Sequence, residues 1–236
     1  MWKSIFKSIT TVTAKKEHCA DPLRAFVAQM CTRIASHAHL ADPVAEASYC
    51  VVDLETTGLD LERDVIINAA AVKIKKGRIT KVYESYIKPP FPVPEESIQW
   101  HGLRDEMLVD KPTIGEVLPE FLNFIGDSII TGHHINFDIR MIDRHVREYY
   151  DCSIEGTPWL DTMLLHKLVV DNNTSTELDD LMNVYSVDCN ARHRALGDAI
   201  ATAKIFLRIL HELTPVYRTV GDMFLAQKGL SRKDNL

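Results

Sequence analysis

Cys50-Val51-Val52-Asp53-Leu54-Glu55-Thr56-Thr57-Gly58-Leu59 is an apolar run that ends in two carboxylates separated by a single residue, followed by a Thr-Thr-Gly turn. The aromatic and β-branched residues of Tyr49-Cys50-Val51-Val52, in so short a run, favour a buried strand. If that strand continues through Asp53 and Glu55, their i and i+2 positions put both side chains on one face. Two like charges held so close repel each other. Such a pair persists when one member binds a proton or when both bind a cation. A solvated strand end is the competing reading, because acidic residues and a following glycine turn are common there.

Working outward from this strand, Val65 to Lys75 and Ile79 to Ile87 are two further strand candidates, separated by the hairpin-like break Lys76-Gly77-Arg78. Three consecutive strands predict antiparallel neighbours. Pro89-Pro90-Phe91-Pro92-Val93-Pro94 cannot continue a ladder, since proline lacks the donor, and reads as a loop. Beyond it the pattern turns helical. Val117, Leu118, Phe121, Leu122 and Ile125 share one helical face over Thr113 to Ile125, and Ser128 to Thr131 follows as a short apolar strand. Asn136 is positioned as the N-cap of a helix that carries Ile139, Ile142 and Val146 inward. Apolar periodicity predicts further helices at about 161 to 170, 177 to 185 and 194 to 212. The expected fold class is α/β: a mixed sheet flanked by helices on both sides.

Residues 1–47 differ, with no alternating strand pattern, and Leu23, Phe26, Val27, Met30 and Ile34 recur at helical spacing. Six basic residues stand against four acidic ones there, a net of +2, which leaves −8 for the remainder. An N-terminal helical extension (1–47) followed by one main domain (48–236) is expected, with contact to nucleic acid through its weak positive charge, a protein partner, or simply a solvated helix face as readings of the extension.

The chain's 236 residues, 46% of them hydrophobic, suffice for one sizeable core. A formal net charge of −6 excludes the overall basic field of a protein that coats duplex nucleic acid, so any polyanion must be met locally or through metal ions. Five scattered cysteines without a CxxC pair argue against a disulfide framework or a standard zinc site and fit a reducing cytoplasm. No stretch reaches the length of a membrane span, and residues 1–16 lack an uninterrupted apolar signal region. A soluble, cytoplasmic protein without membrane contact is expected.

Two later stretches bear on the opening pair. Gly132-His133-His134-Ile135-Asn136-Phe137-Asp138 places an acid in the first turn of a helix just after a strand. Arg192-His193-Arg194-Ala195-Leu196-Gly197-Asp198 pairs a histidine with an acid five residues later. A continuous helix rotates such a pair by about 140°. His193 must therefore precede the helix if it shares a cleft with Asp198. Asp161, just before a helix, reads as a cap and not a ligand.

In order and spacing, Asp53-x-Glu55, Phe137-Asp138 and His193-x4-Asp198 resemble the three motifs of the DEDD-type 3′–5′ exonucleases that carry a histidine in the third motif. The chain is similar over about residues 48 to 212 to the proofreading epsilon subunits of bacterial replicative polymerases and to ribonuclease T. The resemblance implies a ribonuclease-H-like fold and metal-dependent removal of mononucleotides from the 3′ end of single-stranded nucleic acid, with DNA slightly favoured over RNA. It implies two divalent cations, Mg²⁺ or Mn²⁺, with Asp53 bridging them, Glu55 and Asp198 on the ion that carries the attacking water, and Asp138 on the other. His193 would take the water's proton. Hard oxygen ligands suit Mg²⁺, and a metal pair about 3.5–4 Å apart serves both the attacking and the leaving oxygen of a phosphodiester.

By the same resemblance the Thr56-Thr57-Gly58 turn would meet the terminal nucleotide, Leu59 would pack on its base, and Phe137 would lie near the scissile end or serve as a core residue. His101, in Trp100-His101-Gly102-Leu103, matches a family loop near the cleft, or is a solvent-facing loop histidine. The chain departs from the family in carrying His133-His134 where relatives have His-Asn. It also shows no counterpart of the long C-terminal tail by which epsilon reaches its polymerase. Two other readings are an RNA-processing exoribonuclease and a non-catalytic binding module of the same fold. A doubly wound nucleotide-binding protein is disfavoured, since no glycine-rich phosphate loop follows the first strand.

Overall fold

The computed structural model describes residues 21–170 and 175–233. Three strands, β1 (Ser48–Thr56), β2 (Ile66–Lys75) and β3 (Arg78–Tyr86), form the expected antiparallel meander. A strand at Ile129–Gly132 (β4) then adds parallel to the free edge of β1, and one at Trp159–Asp161 (β5) adds parallel to β4. The five-stranded sheet has the order β3-β2-β1-β4-β5. β1 therefore sits at its centre and runs past the apolar run through both carboxylates, pairing Asp53 with Ala70 and Glu55 with Asn68 before a bulge at Thr56.

Strand alternation sorts β1 into two layers. Tyr49 and Val51 face a helix at Ala195–Leu213 (α8), together with Ala70, Val72 and Ile74 of β2. Cys50 and Val52 face the opposite layer, built from α1 (Pro22–Ile34), α4 (Ile114–Ile125) and α5 (Asn136–Tyr150). Asp53 and Glu55 share the parity of Tyr49 and Val51. They therefore stand on the α8 side of the sheet.

Small residues let α8 lie close. Ala195, Ala199 and Ala203 recur every four residues and are all buried in the cluster on this side of the sheet, where β2 offers Ala70. Tyr49 and Phe206 meet edge-to-face at 4.9 Å between ring centres and lock the helix lengthwise. In the other layer the Glu116 carboxylate accepts from the Thr113 N–H (2.7 Å) and hydroxyl (2.8 Å), fixing the start of α4 where the sequence predicts it.

Residues 1–20 of the expected extension lie outside the described residues. The α1 face formed by Val27, Met30, Cys31 and Ile34 is buried in the same apolar cluster as Leu118, Leu122 and Val146. Arg33 pairs with Asp127. The loop Pro89–Pro94 leads into α2 (Glu95–His101) and a single-turn α3 (Asp105–Leu108). α6 (Thr162–Val169) and α7 (Leu178–Val184) lie within the predicted ranges.

Two departures from the sequence reading have local causes. α5 begins at Asn136 with Ile135 in the cap position, so Asn136 is not the cap. The Asp161 carboxylate accepts from the His134 N–H (3.2 Å) and the Ile135 N–H (3.1 Å), so the approach to the helix is satisfied from across the sheet. A last helix, α9 (Val220–Lys233), was not anticipated. Its Gln227 amide accepts from the Asp161 N–H at 2.7 Å and donates to the Trp159 carbonyl at 3.1 Å, closing the outer edge of β5. Replacing Gln227 with alanine strips two buried backbone groups of their partner, and urea unfolding should show a loss of about 1–3 kcal/mol. Unchanged stability would mean that β5 does not depend on this clamp.

Candidate active site

Each acidic side chain of the three motifs sits at the end of an element that the core holds still. Asp53 and Glu55 occupy the last turns of pleat in β1, and Asp198 lies in the first turn of α8, whose alanine face sets it over the same side of the sheet. Oxygens of Asp53, Glu55 and Asp198 come within 4.8 Å of one another. Asp138, in the first turn of α5, is buried and close enough for its charge to act on Asp53. All four carboxylates therefore converge at the C-terminal end of β1.

Their electrostatics follow from that crowding. Burial pushes Asp53 well above the usual carboxylate range, and the charges of Asp138, Glu55 and Asp198 push it further, against a counter-pull from Arg192. Burial and then Asp198 raise Glu55 to about 7, with Arg192 and Arg194 opposing. Burial raises Asp138 as well, against hydrogen bonds from its own backbone and from that of Leu54. A set of crowded, buried hard oxygens is a donor set suited to a small divalent cation, whose charge offsets their mutual repulsion.

A cavity of about 730 Å³ opens beside these groups, lined by Asp53, Glu55 and Asp138 and by every residue predicted to meet substrate: Thr56, Thr57, Gly58, Leu59, His101 and Phe137. The Thr-Thr-Gly turn is braced by Asp64, a residue that the sequence reading did not single out. Asp64 accepts from the Thr57 hydroxyl (2.8 Å) and the Asp60 N–H (2.8 Å), while a Cβ on Gly58 would lie 2.4 Å from its carboxylate. Any larger residue at this position would have to displace the Asp64 carboxylate that braces the turn. Leu59 stands 83% exposed at the rim, and Trp100, also missed, lines the same cavity at 70% exposed. Exposed apolar side chains that flank a cleft are a signal visible only after folding.

His101 ends α2 and is 4% exposed, which corrects the solvent-facing loop reading; its Nδ1 accepts from the Leu103 N–H at 3.0 Å. Phe137 both lines the cavity and packs against the α4–α5 layer. His133 and His134 line the cavity too, with His133 Nδ1 3.0 Å from the Thr162 hydroxyl. Burial, then neighbouring His134, lowers His133 to about 4, so it is neutral at pH 7. Asp161 caps α6 through the Met163 N–H (2.9 Å), as its position before a helix suggested.

Of the predicted catalytic residues, Asp198 and His193 do not line the cavity; Asp198 still joins the acidic group with Asp53 and Glu55, and His193 does not. It lies ahead of α8, as the rotation argument requires, but its side chain is exposed and its backbone is left-handed at φ 59°. Its N–H donates to Asp198 at 3.1 Å, so the loop is attached to the acidic group through its backbone. The neighbouring Arg192 forms an ion pair with Asp198.

This is the architecture and acidic grouping of a nuclease, and comparison with known proteins agrees. Residues 50–206 match the family model described as Exonuclease. The DNA polymerase III subunit epsilon of Aquifex aeolicus is 36% identical over 185 residues, covering 78% of this chain and 91% of that one. The DNA polymerase III PolC-type of Thermotoga maritima is 39% identical over 171 residues, 72% of this chain but 12% of that much longer one. Among solved structures, exonuclease X in complex with 5′-overhanging duplex DNA superposes with a TM-score of 0.60 at 22% identity, over 76% of this chain and 99% of that one. E. coli exonuclease I in complex with a dT13 oligonucleotide gives a TM-score of 0.62 at 13% identity, over 72% and 42%.

The chain belongs to the exonuclease family and is an enzyme of the 3′–5′ exonuclease class. Its ribonuclease-H-like sheet is the expected one. No helix among the described residues is long and apolar enough to cross a membrane.

Glu55 sets a pH dependence of the metal-free fold. Its folded-state pKa of about 7 lies above its ordinary 4.5, so the folded protein retains a proton that the unfolded chain has released. Stability contributed by this group is therefore full below about pH 4.5 and lost as pH rises through about 7. Denaturation in chelator should show a loss of up to about 3 kcal/mol between pH 5 and 8, reduced in Glu55→Gln. A flat profile would mean that the carboxylates are not crowded as described.

Proposed function

We propose that this protein is a metal-dependent exonuclease that hydrolyses the terminal phosphodiester bond at the 3′ end of single-stranded nucleic acid, DNA in preference to RNA, releasing mononucleotides. The observation that carries this reading is the convergence of Asp53, Glu55, Asp138 and Asp198 at the end of β1, where Asp53, Glu55 and Asp138 line a cavity that Leu59 and Trp100 flank with exposed apolar side chains. Asp53, Glu55 and Asp198 would hold one divalent ion and Asp53 with Asp138 a second, Mg²⁺ or Mn²⁺. Bound there, such ions supply positive charge to a phosphate and acidify a water.

The chain's own residues account for the remaining steps. The Thr56-Thr57-Gly58 turn, held rigid by Asp64, offers backbone groups to the terminal sugar. Leu59 and Trp100 present apolar faces on which an unpaired base can pack, a contact that tolerates any sequence and requires the end to be single-stranded. Phe137 closes the cavity floor near the reacting phosphate. His193 takes the attacking water's proton, which calls for its loop to turn the imidazole inward from its exposed position. Residues 1–47 remain a candidate surface for a protein partner.

Digestion of 3′-labelled and 5′-labelled DNA and RNA oligonucleotides, with Mg²⁺, Mn²⁺ or chelator, tests the reading directly. Mononucleotide release from the 3′ end that stops in chelator is expected, with DNA the better substrate. Binding without cleavage under every condition would leave a non-catalytic module. Asp53→Ala and Asp198→Ala should each cut the rate by more than about 10³-fold while the protein stays folded. Retained activity in either would sink the metal assignment. His193→Ala should lower the rate with metal binding kept, and an unchanged rate at neutral pH would remove it as the base.

A further inference from the structure

Asp198 is the only member of the acidic group with a basic side chain directly upon it. Arg192 Nη1 forms an ion pair with Asp198 Oδ1, and Arg192 Nε donates to Asp179 Oδ1 of α7 at 2.6 Å. The other Asp198 oxygen accepts the His193 N–H at 3.1 Å. Both oxygens of this carboxylate are therefore engaged by the loop that precedes α8. That loop is pressed onto the helix start, since a Cβ on Gly197 would fall 2.0 Å from the Ala191 carbonyl oxygen. The Arg192 side chain is only 21% exposed, so its charge acts with little screening, and it reaches Asp53 and Glu55 as well as Asp198.

We propose that Arg192 is an internal counter-cation that holds Asp198 in the metal-free protein and competes with a divalent ion for that carboxylate. The inference rests on the assignment of Asp53, Glu55 and Asp198 as metal ligands. A carboxylate oxygen in an ion pair with a guanidinium has its charge already engaged. A second cation brought to the same group is repelled by the first. Metal entry thus requires Arg192 to let go of Asp198, and Asp179 is placed to keep hold of it after release. The fork of the guanidinium matters here, because its separate N–H groups reach both acids at once, as a lysine ammonium on a single stem does less well.

Arg192 is in this sense a positioning residue. It keeps four crowded carboxylates compatible with folding when no ion is bound, and it sets how tightly an ion must bind to displace it. The same release frees the loop segment that bears His193, so the presence of metal and the freedom of the imidazole to turn inward are linked through one side chain.

Calorimetric titration of the full chain with Mn²⁺ alone, without nucleic acid, tests this. Arg192→Met should bind Mn²⁺ roughly 10- to 100-fold more tightly than the unaltered protein, since both the ion pair that occupies Asp198 and a like-charge repulsion are removed. Arg192→Lys should fall between the two. The melting temperature of Arg192→Met in chelator should drop, and its gain on adding Mn²⁺ should exceed that of the unaltered protein. A purely structural role predicts a lower melting temperature with and without metal and an unchanged Kd. That result, or weaker binding in a folded Arg192→Met, overturns the proposal. Should Arg192→Met fail to fold, an unchanged Kd in Arg192→Lys does the same. If the unaltered protein binds no Mn²⁺ at all, the metal-ligand assignment fails and takes this inference with it, an outcome distinct from binding that ignores residue 192.

Discussion

Mutual repulsion among four carboxylates at the end of one buried strand is the constraint around which the rest of this structure is arranged. Left to themselves, the four acidic side chains would move apart, and burial pushes Asp53, Glu55 and Asp138 toward holding protons. The fold prevents the first by fastening each group to an element that cannot shift. β1 is bonded on both sides, to β2 over nearly its whole length and to β4. α8 is pressed against it through alanines and keyed by the Tyr49–Phe206 contact. Much of the core's packing thus serves to hold like charges together.

The second tendency is left unresolved on purpose of chemistry. A site that is strained without its cation binds that cation with the free energy of the relieved repulsion. Stability of the metal-free fold and affinity for the ion are therefore opposed quantities set by the same oxygens. Arg192 sets one cationic side chain against this group, paired with Asp198.

Around this rigid group the parts that face the opening are a turn and the end of the short helix α2. The turn from Thr56 to Asp60 is braced by Asp64, while Leu59 and Trp100 project freely into the opening. Asp161 illustrates a different economy. One carboxylate caps α6 and also secures the backbone that leads into α5, so the placement of Asp138 depends on a residue in another strand. Gln227 of α9 in turn holds the backbone of β5 that carries Asp161. The chain of support for one catalytic candidate runs through two elements, α9 and β5, that do not line the cavity.

What was legible beforehand was whatever is encoded over a few residues. Alternation and β-branching mark β1, β2 and β3; the i, i+2 spacing puts Asp53 with Glu55; helical periodicity finds α4, α6, α7 and α8; and the motif order points to the family. What was missed depends on residues far apart in the chain. Asp64 looks like an ordinary loop acid until the turn folds back onto it, and Trp100 looks like a helix residue until its ring is left uncovered. α9 is weakly amphipathic and is recognised by what Gln227 reaches, not by its own pattern. The exposure of His101 was misjudged and the cap of α5 misassigned for the same reason, since the groups that cover the one and replace the other come from distant segments. Local spacing thus determined which side chains could act, because backbone geometry sets the direction of near neighbours. Only the tertiary structure decided which of them meet, that His193 stands outside while Arg192 holds Asp198, because convergence is set by the packing of whole elements against one another.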